Sequence, residues 1–388
     1  MAIGLQPWHV VNAFEWSGYV GIEDLGFIHK PTDTRQHRNY VSGVIEPELY
    51  HEWDNGQQSL AFVPFFRWSQ HDNHRTHFDI RELTWLKVAE SWELRVGFRK
   101  VFWGVAESQH LIDIINQTDL VENFDTEDKL GQPMVNLAVI GDWGTLDLFF
   151  LTGFRERTFP GAEGRPRFFL PAATSDARFE KNGVEKHLGF AARWSKPIGD
   201  WDLGFAHFYG MNRDPSFIPE FDSQQQPRLV PYYEMIHQTS VDVQATKGSW
   251  LWKLESMVRS GQGKTYFAGT SGLEYTFFNI QDSSIDLGIV AEYLYDGRGS
   301  HALTIFQDDF MLGLRFALND IQSTELLAGV VFDRTTSAKF YNIEASRRIG
   351  DHWKVEMEAR FFSGASQQDL AYMFRDDDHF RLEVTYHY

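Results

Sequence analysis

Eighteen segments of this chain alternate apolar and polar residues with a period of two, and helical patterning is nearly absent. The first nine read as Val11–Gly21, Tyr40–Trp53, Ser59–Trp68, Thr76–Ala89, Trp92–Trp103, Met134–Ile140, Thr145–Phe159, His187–Ser195 and Trp201–Met211. The rest are Pro231–Ala245, Trp250–Arg259, Tyr266–Asn279, Ile285–Tyr295, Phe306–Leu318, Glu325–Asp333, Phe340–Ile349, Trp353–Phe362 and Phe380–Tyr388. In the last of them Phe380, Leu382, Val384, Tyr386 and Tyr388 share one face, and Arg381, Glu383, Thr385 and His387 the other. A soluble sandwich turns its apolar faces inward, and a chain of 388 residues cannot enclose so many. Turning the apolar faces out to hydrocarbon and the polar faces in to water uses every strand. Closing the sheet on itself then satisfies every backbone hydrogen bond and leaves no edge.

The connections alternate in kind. Short turns, each followed by tryptophan, precede Trp92, Trp143, Trp201, Trp250 and Trp353, and Asp54-Asn55-Gly56 is a hairpin signal. Long, irregular connections cover Ile22–Asn39, Gly104–Gly131, Pro160–Lys186, Asn212–Leu229 and Ser363–His379. Short turns on one rim and long loops on the other mark a transmembrane, antiparallel, up-and-down β-barrel of about 18 strands, with 16 as the alternative count. The repeated tryptophans form an aromatic girdle at one membrane interface. No composition break divides residues 1–388, which read as one barrel domain.

Bulk composition narrows the partners. The net charge of −18 argues against nucleic acid. The absence of cysteine excludes disulfide frameworks and thiolate metal sites. The apolar run Leu60–Phe66 falls well short of the roughly 18 residues of a membrane helix. The start, MAIGLQPWHV, lacks the basic and apolar regions of a secretory signal, which leaves either a cytoplasmic protein or a removed signal, and a removed signal is expected.

Gly104–Gly131 is the one long interval of the first half without strand patterning. It carries Glu107, Asp113, Asp119, Glu122, Asp125, Glu127 and Asp128 against the single base Lys129, around an apolar core of Leu111, Ile112, Ile114 and Ile115. The apolar core needs a surface to bury against. It is expected to fold into the mouth of the barrel and narrow it, the alternative being a loop clamped on the rim. Arg95 and Arg99, with Glu93, lie on the polar face of the preceding strand, and Arg81 and Arg155 are expected to join them. Two roles are open for these arginines. A basic wall facing an acidic loop sets up a transverse field across the pore, while ion pairs brace the loop. Lys253, Glu255, Arg315, Glu325, Glu344 and Arg348 extend the expectation of a wet lumen.

Along nearly its whole length this pattern resembles Gram-negative outer-membrane porins, and the closing strand Phe380–Tyr388 with its terminal aromatic is similar to their assembly signal. The resemblance implies an outer-membrane location and lipopolysaccharide and phospholipid as surroundings. It also implies an inward-folded third long loop whose Glu107, Asp113, Asp119, Glu122 and Asp125 form one side of an eyelet. Eighteen strands resemble the monomeric substrate-selective channels and the alginate exporter more than the sixteen-stranded trimers, so monomer and homotrimer both stay open.

Enzyme signals are weak. Gly263-Lys264-Thr265 sits between strands, with Val258 where a phosphate loop needs its first glycine. His71, His74 and His77 read as a solvated polar loop rather than a metal site. No cofactor and no metal is expected. The leading reading is passive diffusion of small polar or charged solutes. The alternatives are an exporter or lipid-transport component, a barrel hydrolase and a surface-adhesion scaffold.

Overall fold

The computed structural model describes residues 14–181, 183 and 188–388. Val11–Ala13 and His187, expected at strand ends, lie outside the described residues, as does the MAIGLQPWHV start. Twenty-one strands follow in chain order: β1 Glu15–Phe27, β2 Asn39–Trp53, β3 Gln58–Ser69, β4 His77–Val88, β5 Trp92–Arg99, β6 Gln132–Gly141, β7 Gly144–Leu151, β8 Arg178–Phe179, β9 Gly189–Ile198 and β10 Trp201–Met211. Then come β11 Ser216–Phe221, β12 Pro227–Tyr233, β13 Met235–Lys247, β14 Trp250–Gly261, β15 Gly263–Phe277, β16 Asp286–Asp296, β17 Asp308–Ala317, β18 Glu325–Asp333, β19 Lys339–Ile349, β20 Trp353–Ser363 and β21 His379–His387. Eighteen of them form one antiparallel sheet. β1 pairs with β2 on one side and with β21 on the other, Tyr19 facing His387, so the sheet closes into a ring. β8, β11 and β12 form a separate small sheet among the long loops.

The faces sort as the alternation requires. On β17, Phe310 and Leu312 are 48% and 51% exposed, while Met311 between them is 6% exposed and faces the interior. Tyr293 of β16 lays its ring 5.1 Å from that of Phe310 on the outer face. Ile289, Leu314, Phe267, Phe380 and Leu382 continue the apolar outer surface. An apolar belt of this extent is stable against hydrocarbon and not against water. Trp143, Trp201, Trp250 and Trp353 stand exposed beside the short turns, and Trp92 is half-buried there. Three of those turns need glycine: Gly199, Gly248 and Gly350 have φ of 60°, 61° and 62°.

Several strand ends differ from expectation for physical reasons. β1 runs on to Phe27, because β2 and β21 both offer it partners. β5 stops at Arg99, because side chains of the following loop take the next amides: Val101 donates to Asn116 and Trp103 to Asp113. β7 stops at Leu151 rather than Phe159, and the Arg157 amide donates to the Tyr233 hydroxyl instead. Asn212–Leu229, expected as open loop, holds the proline-containing strand β11 and the start of β12.

The inner face is not polar throughout. Met134, Phe149, Leu151, Ala191, Ala206, Phe208 and Ile236 form an apolar patch on the inside of β6, β7, β9, β10 and β13. A chain segment from elsewhere covers it.

The belt predicts a directional mutational response. Leu312→Arg, at the middle of β17 and facing out, should lose roughly 2–4 kcal/mol of stability in denaturant titrations of the protein folded into lipid vesicles. Met311→Arg, facing in beside it, should lose less. Equal losses would contradict the assignment of faces.

Candidate pore constriction

The segment that covers the inner apolar patch is the connection between β5 and β6. Its Trp103, Ile112, Ile114 and Ile115 are buried against that patch. Each such side chain contributes roughly 1.5–3 kcal/mol on removal from water. Arg213, itself buried, donates to the carbonyls of Ile114 and Ile115 at 3.2 and 2.8 Å. The apolar run is therefore held on both its side-chain and backbone surfaces.

Before that run the backbone crosses toward β14 and β16. Glu255 on β14, fully buried, accepts hydrogen bonds from the amides of Val105 (2.6 Å) and Ala106 (2.9 Å). Glu292 on β16, 2% exposed, accepts from the amides of Glu107 (2.7 Å) and Ser108 (2.9 Å) and from the Ser108 hydroxyl. Two wall carboxylates thus capture four consecutive backbone N–H groups that have no strand to pair with. Hydrogen bonds to a charged acceptor contribute about 1.5–3 kcal/mol each.

After the run the chain turns to the opposite wall. Arg81 reaches Asp119 at 2.6 Å, and Arg67 of β3 reaches Glu122 at 2.7 Å. Arg75 binds Glu23 and donates to the carbonyls of Val121 and Glu122. Arg360 of β20 holds Asp125 at 2.8 Å and Asn123 at 2.6 Å. Asp113 pairs with Lys129 within the loop, and Glu107 with Arg315 at 2.6 Å and Lys253 at 3.3 Å.

The nine residues singled out from the sequence are therefore distributed as follows. Glu107, Asp113, Asp119, Glu122 and Asp125 each meet a cation, and Arg81 is one of those cations. Arg155 pairs with Asp79 of β4 and donates to the Gly131 carbonyl. Arg95 pairs with Glu93, and Arg99 donates to Asn136 at 2.7 Å, both along the wall and away from the loop acids. Glu255, Glu292, Arg67 and Arg360, which do much of the anchoring, lacked any sequence signal beyond their parity on the polar face, and Arg75, in the turn between β3 and β4, lacked even that.

The three histidines of the 71–77 region go to three places. His71 stacks on His37 with ring centroids 3.7 Å apart, and His74 meets the Phe159 carbonyl. His77 Nε2 stands 3.3 Å from Asp119 and 3.7 Å from Glu122, a trio close enough to hold a metal ion. Arg81 and Arg67 already occupy these two carboxylates, and they make the trio part of an ion-pair network.

His110, in the loop, has an unusual balance. Burial disfavours its charged form, but its 2.8 Å hydrogen bond to Glu127 and the nearby Glu255 outweigh this and raise its pKa to about 10. Asp119 is held well below the usual carboxylate range: burial acts to raise it, and His77, Arg81 and Thr158 more than offset this.

These contacts leave an opening on one side of the lumen, between the loop and β17–β20. Its volume is about 570 Å³, and it is bordered by Glu107, His110, Phe124, Met311, Phe340 and Arg360 among others.

The class of protein follows from ring closure and the outer belt: this is a porin-like β-barrel of the outer-membrane type. No family model and no curated protein matches the chain. Among solved structures, a mutant of the Rh. blastica porin is similar with a TM-score of 0.46 at 11% identity, covering 97% of this chain and 100% of that one. A second mutant of that porin gives 0.47 at 11%, with the same coverage. A chain described as "Asymmetric conductivity of engineered proteins" gives 0.45 at 10%, over 97% of this chain and 99% of that one. The fold assignment stands on the strand register itself.

A pH response follows from His110. Its ordinary value is about 6.5. A raised value in the docked loop means that its contribution to docking is complete below about pH 6.5 and is lost as pH rises through about 10. Histidine NMR in micelles should show His110 still protonated at about pH 8, and Glu127→Gln should return its titration toward the ordinary value. A His110 titration near 6.5 in the unaltered protein would refute this balance.

Proposed function

We propose that residues 1–388 act as one unit, a passive diffusion channel in the outer membrane, and that the 104–131 loop narrows the lumen so that only small polar or charged solutes pass. The observation that carries this reading is the capture of the Val105–Ser108 amides by Glu255 and Glu292, far round the ring from β5, while an opening of about 570 Å³ remains beside β17–β20. A barrel built only as a scaffold has no need of an anchored internal strap with space left next to it. In this reading the barrel exterior meets phospholipid and lipopolysaccharide, and the protein carries out no covalent chemistry.

The ion pairs support the bracing role over an unopposed acidic eyelet, since Glu107, Asp113, Asp119, Glu122 and Asp125 each meet a cation. The rival exporter reading would use Leu111–Ile115 as a greasy path. Ile112, Ile114 and Ile115 are instead buried against the wall and do not border the opening.

Planar-bilayer recording tests the proposal. The unaltered protein should give discrete conductance steps. Glu255→Gln with Glu292→Gln weakens two charged anchors, and about 1.4 kcal/mol corresponds to tenfold in the docking equilibrium. The double variant should show larger or noisier steps and faster proteolysis within 104–112. Absence of any step would sink the channel reading, and faster proteolysis with unchanged steps would sink the loop as the narrowing element.

A further inference from the structure

The opening beside β17–β20 differs from a uniformly wet pore. Phe340 of β19 and Phe362 of β20 occupy inward positions on the same faces as Asn342, Glu344, Glu358 and Arg360. Their rings lie 5.2 Å apart. Phe124 of the loop joins them, 6.4 Å from Phe340 and 5.6 Å from Phe374, and Phe306 adds a fifth ring 6.4 Å from Phe340. Met311 and Val331 extend this surface on β17 and β18. Phe124, Phe306, Phe340 and Phe374 border the opening itself. The barrel wall alone does not require apolar side chains on its water-facing side.

The charged groups around the same opening are unequal. Arg360 has 1% of its side chain exposed, held by Asp125 and Glu358 and stacked 4.7 Å from the Phe124 ring. Arg157 is taken by Asp214, and Arg167 by Asp33 and the Phe168 and Phe169 carbonyls. His110 is taken by Glu127 at 2.8 Å. The Glu344 carboxylate turns outward, with 43% of its side chain exposed and its nearest cation 3.8 Å away. A solute therefore meets aromatic rings and the Glu344 carboxylate, while the guanidinium groups and the His110 imidazolium are taken by other carboxylates. Glu344 and Phe340 are four residues apart on one strand, about 13 Å along it.

We propose that this opening is a binding site for organic cations that carry an aromatic or branched apolar body several bonds from the charge. The apolar body takes the place of water against the phenylalanines, at about 25 cal/mol per Å² removed from water. The ammonium group lies toward Glu344, whose nearest cation is 3.8 Å away. Among the described residues that border the opening an anion finds no free guanidinium, and a small hydrophilic cation leaves the aromatic surface wet. The volume, about 570 Å³, falls within the range of small-molecule sites. The proposal deepens the channel reading by naming a solute class, but the binding itself does not need conduction.

The test is calorimetry on the full chain in detergent, with 4-phenylbutyl-trimethylammonium as probe. It should bind about tenfold or more tightly than 4-phenylbutanol, 4-phenylbutyrate or tetramethylammonium, a difference of about 1.4 kcal/mol or more. Phe340→Ser should weaken the probe and leave tetramethylammonium unchanged. Glu344→Gln should weaken the probe and leave the alcohol unchanged, with near-native circular dichroism as the check on folding. Equal or tighter binding of the carboxylate, or a probe affinity indifferent to Glu344→Gln, would overturn the proposal. Binding without any bilayer conductance would support the site and defeat the channel reading. Conductance with no discrimination among the four compounds would do the reverse.

Discussion

Everything in this structure depends on closure of one hydrogen-bonded ring. Within hydrocarbon no water can take an unpaired N–H or C=O, and each such group costs several kcal/mol. The pairing of β1 with β21 leaves the ring without an open edge. Once the ring is closed, side-chain parity is no longer negotiable: a residue faces lipid or lumen according to its place in the register, and a slip of one position would exchange the two faces.

Closure also creates the problem that the loop solves. A ring of this many strands encloses more space than its own side chains fill. The connection between β5 and β6 enters that space with unpaired backbone and an isoleucine-rich run. The barrel supplies a partner for each part: an apolar patch on β6–β10 and β13 for the isoleucines, Glu255 and Glu292 for the leading amides, and arginines of β3, β4 and β20 for the acids. These arginines and glutamates are mutually dependent. Removing one member of a buried pair leaves an uncompensated charge and costs about 3–5 kcal/mol, well beyond what an exposed pair contributes.

The strand count was legible in the sequence because a period of two repeats with little interference, and Trp143, Trp201, Trp250 and Trp353 punctuate it. The strand ends were less legible. Nothing local shows that Val101 and Trp103 give their amides to Asn116 and Asp113, since those partners lie on the far side of a loop whose path is set by the wall. The acids of the loop were visible as a group. Their partners were not, because Arg67 and Arg360 are brought to them only by ring closure from opposite ends of the chain. Arg95 and Arg99 have the parity of lumen residues, but Glu93 and Asn136 lie nearer than any loop carboxylate. Phe340 and Phe362 were hidden for a different reason: an apolar residue on an alternating strand reads as lipid-facing, and only the register with Asn342 and Arg360 turns them inward.

The same register explains how a strongly acidic chain can hold so many arginines inside without presenting a positive pore. A guanidinium with carboxylates on both sides and a ring above it, as at Arg360, meets its donors' needs within the wall and has little left for a solute. A carboxylate such as Glu344, whose nearest cation is 3.8 Å away and which takes a 2.7 Å hydrogen bond from Asn342, keeps acceptor capacity free toward water. Beside β19 and β20 the Glu344 carboxylate therefore lies at the water boundary, while Arg360 is consumed behind it. The sign of the lumen surface is set by which partner is left over after the ion pairs form, rather than by the number of arginines that face inward.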